Sequence, residues 1–507
     1  MSKLRALIIA ATILVALTLL ITYANLYLSP LPYTWSIGDV NYLASVALCG
    51  NYAVLGYVNV NIAPGQFQRF LIINLRTGHA ITIHPSLITN ASSLIPQMAV
   101  NCNNNIINIV YTCIGWNNLF NNNVVGLCLT KVNASNGEVM SQYFLSSIYG
   151  NKSVIKYLGL SDGLVYDIIN DSVYIVLPFI DTYKVNGTNE FNKAEYAAIN
   201  MTCGDLAKIL IRKNGTLSIA WETPMHPCIF EMGCSDGRCS PMVDAINNYV
   251  VFVYEALNNS TGAGYVRLVL INDSNGAVIY NANVTGMSSI ISSTMIGNTL
   301  LYPCEDSLCG MEVMSNGTRS KFMINGLNGT VFNVDNYGLV LTQNYSGVSM
   351  VKISGNGSII GGMDIPINLH AELGEYCSRL NLMSNGIALL AVYPCSISYG
   401  VYGYRELLAV INVTSGSVIH RAIRTLKIPI INTPSSSSIF SMVIPITASN
   451  KYVIYYFNGQ LFITNEAQLI NDWWYYALFD NTYLVMALWV ITLIMIIVTI
   501  ISVNNGK

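Results

Sequence analysis

The chain has 507 residues, 10% of them charged and 52% hydrophobic, with a formal net charge of -2. So few Lys and Arg leave no electrostatic footprint for nucleic acid, and that partner is excluded. Asn, Ser, Thr and Tyr must supply the polar surface, which suits a protein that carries sugar or faces an unusual medium better than one kept in the cytosol by Lys and Glu.

At the amino terminus Lys3 and Arg5 precede an apolar run from Ala6 to about Tyr23, the order of a signal sequence. Residues 1–24 are expected to be a signal peptide, with Thr22-Tyr23-Ala24 as a cleavage site, or an uncut signal anchor, since the run approaches the ~20 residues that span a bilayer. A pilin-type cut after Arg5-Ala6 is a further option. Residues 30–470 form one exported body. Residues 483–503, YLVMALWVITLIMIIVTIISV, are expected to be a transmembrane helix, with Trp473, Trp474, Tyr475 and Tyr476 as its interfacial belt and 504–507 as a short cytoplasmic tail. The expected localisation is a single-pass protein of the cell membrane, its ectodomain extracellular and its C-terminal helix in contact with lipid.

Within the body one phrase returns: an apolar run, a polar turn with glycine, and a second apolar run. It stands around Gly78, Gly137, Gly215, Gly276, Gly317, Gly357, Gly416 and Gly459. LVLINDSNGAVIY, residues 268–280, reads as a β-hairpin whose Asn275-Gly276 pair predicts a type I′ turn with positive φ at both residues. Another strand-like run precedes each phrase: NYAVLGYV, NIINIVYT, SVYIVLPF, YVVFVYEA, NTLLYP, YGLVLTQ, GIALLAVY and KYVIYYF. Shorter pieces such as PQMAV, SPMVDAI and SMVIPIT lie ahead of some of these, so each unit offers four antiparallel strands. The runs are apolar at nearly every position, which requires both sheet faces to be covered. The expected fold is all-β, a β-propeller of eight blades, with seven blades or two stacked β-sandwiches as alternatives. The last unit supplies three strands, and Tyr33–Ile37 is expected to provide its fourth and close the ring.

The phrase in LIINLRTGHAI, LVLINDSNGAVI and LAVINVTSGSVI resembles the repeat of quinoprotein-type (PQQ-like) propellers, the group of the pyrroloquinoline-quinone dehydrogenases and related surface propellers. The tryptophan that such repeats place after the turn is missing at most blades, and there is no adjacent Cys-Cys pair, so the quinone apparatus is not implied and no cofactor is expected. Composition, rich in Ile, Asn and Tyr, resembles exported proteins of thermoacidophilic archaea and their viruses.

Twelve cysteines fall into neighbouring pairs: Cys49 with Cys102, Cys113 with Cys128, Cys203 with Cys228, Cys234 with Cys239, Cys304 with Cys309, and Cys377 with Cys395. Local disulfides in an oxidising compartment are expected. The spacing of His226, Cys228, Cys234 and Cys239 fits no zinc pattern. Asn-x-Ser/Thr sequons at Asn90, Asn133, Asn151, Asn170, Asn186, Asn200, Asn214, Asn259, Asn272, Asn283, Asn316, Asn328, Asn344, Asn356 and Asn412 are candidate glycosylation sites.

Of five histidines, His79 and His420 are expected on the solvated periphery. His84, His226 and His370 complete the set. No HExxH, GxSxG or Walker loop is present. Asp162, Asp167 and Asp171 lack the order of a calcium loop, and turn formation is the simpler role for them. Asp236, Glu305 with Asp306, and Glu372 with Glu375 are the other notable carboxylates, the first three of them inside short disulfide loops. No catalytic, cofactor or metal site is assigned. The expected function is a membrane-anchored, glycosylated surface propeller that binds a protein or glycan partner. The alternatives are an exported quinoprotein-like oxidoreductase or hydrolase, and a structural subunit of an envelope, filament or virion.

Overall fold

A computed structural model describes residues 2–27, 31–37, 43–58, 68–83, 98–103, 105–117, 122–145, 165–169, 172–188, 194–225, 233–235, 238–240, 242–246, 248–257, 264–287, 289–290, 292–334, 336–344, 347–366, 376–383, 386–394, 405–425, 444–448, 451–457, 460–473 and 482–504. The fold is an all-β propeller of eight four-stranded antiparallel blades. The chain divides into two compact units, Val40–Pro366 and a second made of Met1–Asp39 with Ile367–Lys507.

The first unit holds six blades in chain order. Blade one is β1 to β4, here Leu43–Cys49, Tyr52–Val58, Gln68–Asn74 and Ala80–Ile83. Blade two is β5 to β8, Met98–Asn103, Ile106–Asn117, Asn122–Asn133 and Val139–Leu145. Blade three is β9 to β12, Val165–Ile169, Ser172–Thr188, Ala194–Ile211 and Leu217–Thr223. A two-stranded ribbon, β13 and β14 (Gly233–Ser235 and Arg238–Ser240), precedes blade four, which is β15 to β18: Met242–Ile246, Tyr249–Leu257, Gly264–Asn272 and Val278–Val284. Blade five is β19 to β22, Thr294–Ile296, Thr299–Cys304, Ser307–Met314 and Gly317–Asn325. Blade six is β23 to β26, Thr330–Val334, Tyr337–Asn344, Gly347–Ser354 and Ile359–Pro366.

Five apolar clusters hold these blades together, each drawn from two neighbours, which is why the second strands are apolar on both faces. Phe70 of blade one meets Tyr111 of blade two edge-on at 4.8 Å, inside a cluster with Ile72, Ile107 and Ile109. All six residues of Thr299–Cys304 are buried. Outermost strands alternate instead, as in Val278–Val284, because one of their faces meets water.

The second unit holds blade seven, β27 to β30 (Tyr376–Leu382, Ile387–Pro394, Arg405–Asn412 and Ser417–Thr425), and blade eight. Blade eight takes β31 to β33 (Ile444–Ala448, Tyr452–Phe457 and Gln460–Asn465) from the C-terminal part. Its fourth strand is Trp35–Ile37, paired antiparallel with Trp35 opposite Ile463. The expected fourth strand is thus found, as Trp35–Ile37, and Tyr455 Oη donates to the Leu31 carbonyl at 3.0 Å behind it. The Gly459 phrase differs from its relatives: it joins the second and third strands of its blade, and residues 458–459 lie outside the described set. After β33 comes a short helix, Glu466–Asn471, started by a capping box between Asn465 and Gln468.

Two expectations need correction. The turn at Asn275-Gly276 is not type I′: Gly276 has φ +72°, but Asn275 is not among the residues with positive φ. The loop is longer, closed by Gly276 N–H to the Asn272 carbonyl at 2.9 Å, and the Asn272 Oδ1 accepts the Ser274 N–H at 2.9 Å. A side-chain cap at the strand end does what a left-handed Asn would do in a two-residue turn.

The second correction concerns the membrane. Helices run over Ser2–Tyr27 and Thr482–Asn504 and meet at Thr18 and Thr492, whose hydroxyl oxygens lie 2.7 Å apart. Among the described residues no helix is long and apolar enough to cross a membrane. The single-pass cell-membrane localisation, with its lipid contact through the C-terminal helix and its extracellular ectodomain, is not upheld.

Candidate functional site

Strands of a blade alternate in direction, so the turns between strands one and two and between strands three and four lie at one end. The turn between strands two and three and the connection to the next blade lie at the other. In the first unit this second end carries the features least explained by core packing.

Strands β10 and β11 of blade three run far past their neighbours. β12 pairs only with Leu206–Ile211, and β9 only with Ser172–Ile175. From Pro178↔Gly204 to Thr188↔Ala194, eleven pairs, the two strands pair only with each other among the described residues. That is a ribbon about 35 Å long at 3.2–3.4 Å per residue. An isolated two-stranded ribbon is marginal in water, and pairing within the blade does not account for this length. Blade two repeats it on a smaller scale, from Cys113↔Gly126 to Asn117↔Asn122. The ribbon of β13 and β14, with Cys234 opposite Cys239, stands at the same end, in the connection from blade three to blade four.

Blade five presents a stapled turn there. Cys304 and Cys309 are disulfide-bonded with Cα atoms 5.9 Å apart. Exposed Glu305 is held at φ +50°. Asn328 Nδ2 donates to the Glu305 carbonyl, and Gly326 N–H to the Asp306 carbonyl at 3.0 Å, which fixes the turn against the strand leaving the blade. Two rigidly presented carboxylates result. Arg319 and Glu312, farther along the same blade, pair at 2.8 Å and hold the Glu312 carboxyl below its usual range, chiefly through that hydrogen bond.

The other end is built for joining blades. In blades two to six the hairpin glycine faces a side chain on the preceding blade's fourth strand: Gly137 faces Ile81, Gly215 faces Ser141, Gly276 faces Trp221, Gly317 faces Tyr280 and Gly357 faces Phe322. The joint of blades three and four is polar as well. Lys208 Nζ donates to Asp273 Oδ2 at 2.7 Å and Tyr174 Oη to Asp273 Oδ1 at 2.6 Å, while Trp221 Nε1 donates to the Asp273 carbonyl at 2.9 Å. Burial pushes the Tyr174 phenol up, and the Asp273 carboxylate adds to the shift by accepting its hydrogen bond and by its charge. These groups are spent on one another, so the cluster reads as a clamp and not as a reaction centre.

The expected disulfides Cys49–Cys102 and Cys304–Cys309 are present, the first joining the innermost strands of blades one and two. Cys128 and Cys377 are each half of a disulfide. Cys113, Cys203, Cys234 and Cys239 have a described backbone only, and Cys228 and Cys395 lie outside the described residues, as do His84, His226, His370, Asp162, Asp171, Asp236, Glu372 and Glu375. His79 is exposed as expected. His420 is not on a solvated periphery: it is half-buried, hydrogen-bonded through Nε2 to the Ile470 carbonyl and stacked on Trp473 at 5.9 Å. Among the described residues no three His, Cys, Asp or Glu side chains gather as metal ligands.

Sequon residues Asn133, Asn214, Asn272, Asn316, Asn356 and Asn412 sit in the turns between third and fourth strands, and Asn283 and Asn328 are exposed elsewhere. Asn186, Asn200 and Asn344 have a described backbone only; Asn90, Asn151, Asn170 and Asn259 lie outside the described residues. Sequence reasoning missed the long ribbon. Its signal was the unusual length of the strand-like stretches Ser172–Thr188 and Ala194–Ile211.

No protein-family model matches the chain, and no curated protein matches it. In fold it is similar to BamB from Moraxella catarrhalis, at 10% identity and a TM-score of 0.40 over 86% of this chain and 99% of that one. It is also similar to the β-propeller domain of Cps50 (Swd1) from Myceliophteria thermophila, at 11% identity and a TM-score of 0.32 over 78% and 99%. A third similar structure is the quinohemoprotein alcohol dehydrogenase ADHIIG from Pseudomonas putida, at 10% identity and 0.30 over 86% and 68%. At such identities the likeness concerns fold alone. Quinoprotein-type propellers are among the structures that the chain resembles, as its repeat phrase implies.

Proposed function

We propose that the protein is a binding scaffold: a glycosylated, disulfide-stapled propeller that engages a protein partner through the end of its blades bearing the β10–β11 ribbon. The observation that carries this reading is the ribbon itself, eleven residue pairs whose two edges pair with no other strand among the described residues. An open strand edge offers unpaired N–H and C=O groups, which a partner's extended segment can satisfy by strand addition. The Glu305-Asp306 turn at the same end of its blade supports the reading with a fixed acidic contact. Function is thereby placed on loops carried by a rigid body, the usual arrangement for recognition.

The test is site-specific photo-crosslinking with the probe at Tyr183 in the ribbon and, as a control, at Ser274 on the opposite end. Crosslinks to one discrete protein from Tyr183 alone are expected. Equal labelling from both positions, or none from either, overturns the assignment. A variant with residues 180–202 replaced by a short turn should keep its melting temperature and lose the crosslinked partner.

A further inference from the structure

We infer that the turns between third and fourth strands carry N-linked sugars as an array, one per blade, on the end of the first unit that faces away from the ribbon. The inference rests on the glycosylated-scaffold reading and gives it a side. Five consecutive blades, two to six, have a sequon in this turn: Asn133, Asn214, Asn272, Asn316 and Asn356. Blade seven has one in its own corresponding turn, at Asn412.

The turn itself requires the asparagine and not the hydroxyl two residues on. Blade one shows this, because Asn74 caps its turn by accepting from the Arg76 and Thr77 N–H groups at 3.0 and 3.2 Å, yet Asn74-Leu75-Arg76 is no sequon. In blades two and four, whose asparagine stands at the same place in the turn as Asn74, the added Ser is therefore surplus to the cap. The hydroxyl is also placed for chemistry. Ser135 Oγ donates to Asn133 Oδ1 at 2.7 Å, Thr216 Oγ1 to Asn214 Oδ1 at 2.8 Å, and Ser274 Oγ to Asn272 Oδ1 at 2.6 Å. In each of these turns the carboxamide oxygen is engaged, while Nδ2 donates to nothing among the described residues. Asn328 is the internal contrast, since its Nδ2 is committed to the Glu305 carbonyl.

The modification joins Nδ2 to the anomeric carbon of a sugar carried on a polyprenyl phosphate or pyrophosphate. An N–C bond forms and the sugar's C–O bond to phosphate breaks, its electron pair leaving with the phosphate. Nδ2 gives one of its two protons to a base on the transferring enzyme. A bulky, hydrated group at each of these turns leaves the ribbon end as the bare surface open to a protein.

The test is occupancy mapping on the full chain purified from its own cells, by enzymatic deglycosylation in heavy-oxygen water and peptide mass spectrometry. Most copies are expected to carry sugar at Asn133, Asn214, Asn272, Asn316 and Asn356, with Asn328 bare. The variants Ser135→Ala, Thr216→Ala and Ser274→Ala keep the capping asparagine and should each lose one glycan mass without a fall in melting temperature. Bare turns overturn the inference, and so does equal occupancy at Asn186 or Asn200 in the ribbon. Neither result touches the Tyr183 crosslink, so failure of the sugar array and failure of the scaffold reading are separately visible.

Discussion

Gly276 lies against the indole of Trp221 so closely that a Cβ there would sit 2.8 Å from Cγ of the ring, and its φ is +72°. Backbone and packing both forbid a side chain at this position. Gly276→Ala is expected to destabilise by about 2–4 kcal/mol, combining a left-handed non-glycine residue with overpacking. Denaturant melts of Gly276→Ala, Trp221→Ala and the double variant measure the coupling, and the double should cost less than the sum of the singles.

The Lys208–Asp273 clamp ties two blades across 65 positions of sequence. Asp273→Asn keeps the size of the side chain and removes the anion, leaving a mostly buried Lys208 without it; a loss of about 1–3 kcal/mol is expected. An unchanged melting temperature would show the clamp to be idle.

Tyr111 and Tyr174 have phenols raised above the ordinary value of 10.0, in both cases chiefly by burial. A raised acid binds its proton more tightly when folded, so its contribution is complete below pH 10 and is lost as pH rises toward the folded value. Stability should therefore be flat in these groups at neutral pH and fall in alkali. Tyr111→Phe and Tyr174→Phe should each flatten the alkaline limb of a melting-temperature profile, at the cost of the hydrogen bonds to Thr130 and Asp273.

Arg424 and Glu406 form an ion pair at 2.7 Å with side chains 6% and 0% exposed, and the guanidinium lies 5.3 Å from the centre of the Phe457 ring. Arg424→Met removes the cation beside a buried carboxylate and should cost about 3–5 kcal/mol, whereas Arg424→Met with Glu406→Leu should cost far less. Equal losses from the single and double variants would show that the charge is not what matters.

The bond between Cys49 and Cys102 closes 53 residues and staples two innermost strands. Replacing both with Ser should lower stability by about 2–5 kcal/mol. A thermal melt under reducing conditions should move the wild-type protein toward the variant and leave the variant nearly unmoved, apart from the effect of the remaining disulfides.

What was legible in the sequence was local or countable. The Gly276 hairpin, the buried second strands and the stapled Cys304 turn are each encoded within a dozen residues. Trp35–Ile37 is legible because the last repeat offers only three strands of its own. The geometry of the Asn272 turn was misread because a side-chain cap replaced a backbone conformation. His420 was misplaced because its partners, Ile470 and Trp473, are some 50 positions away, and the Lys208–Asp273 clamp was unseen for the same reason. The ribbon was written in strand length, which apolar patterning alone does not measure.

The pairing of Trp35 with Ile463 also orders events during synthesis. The amino-terminal strand emerges first and waits for a partner roughly 430 residues away, which at 5–20 residues per second is a delay on the order of 20–90 s. Blade eight combines a strand from the amino-terminal part with three from the carboxy-terminal part, so it is completed after the seven blades between them. A chain stalled before β33 would carry seven complete blades and a permanently unclaimed strand, a form that quality control could recognise by its open edge.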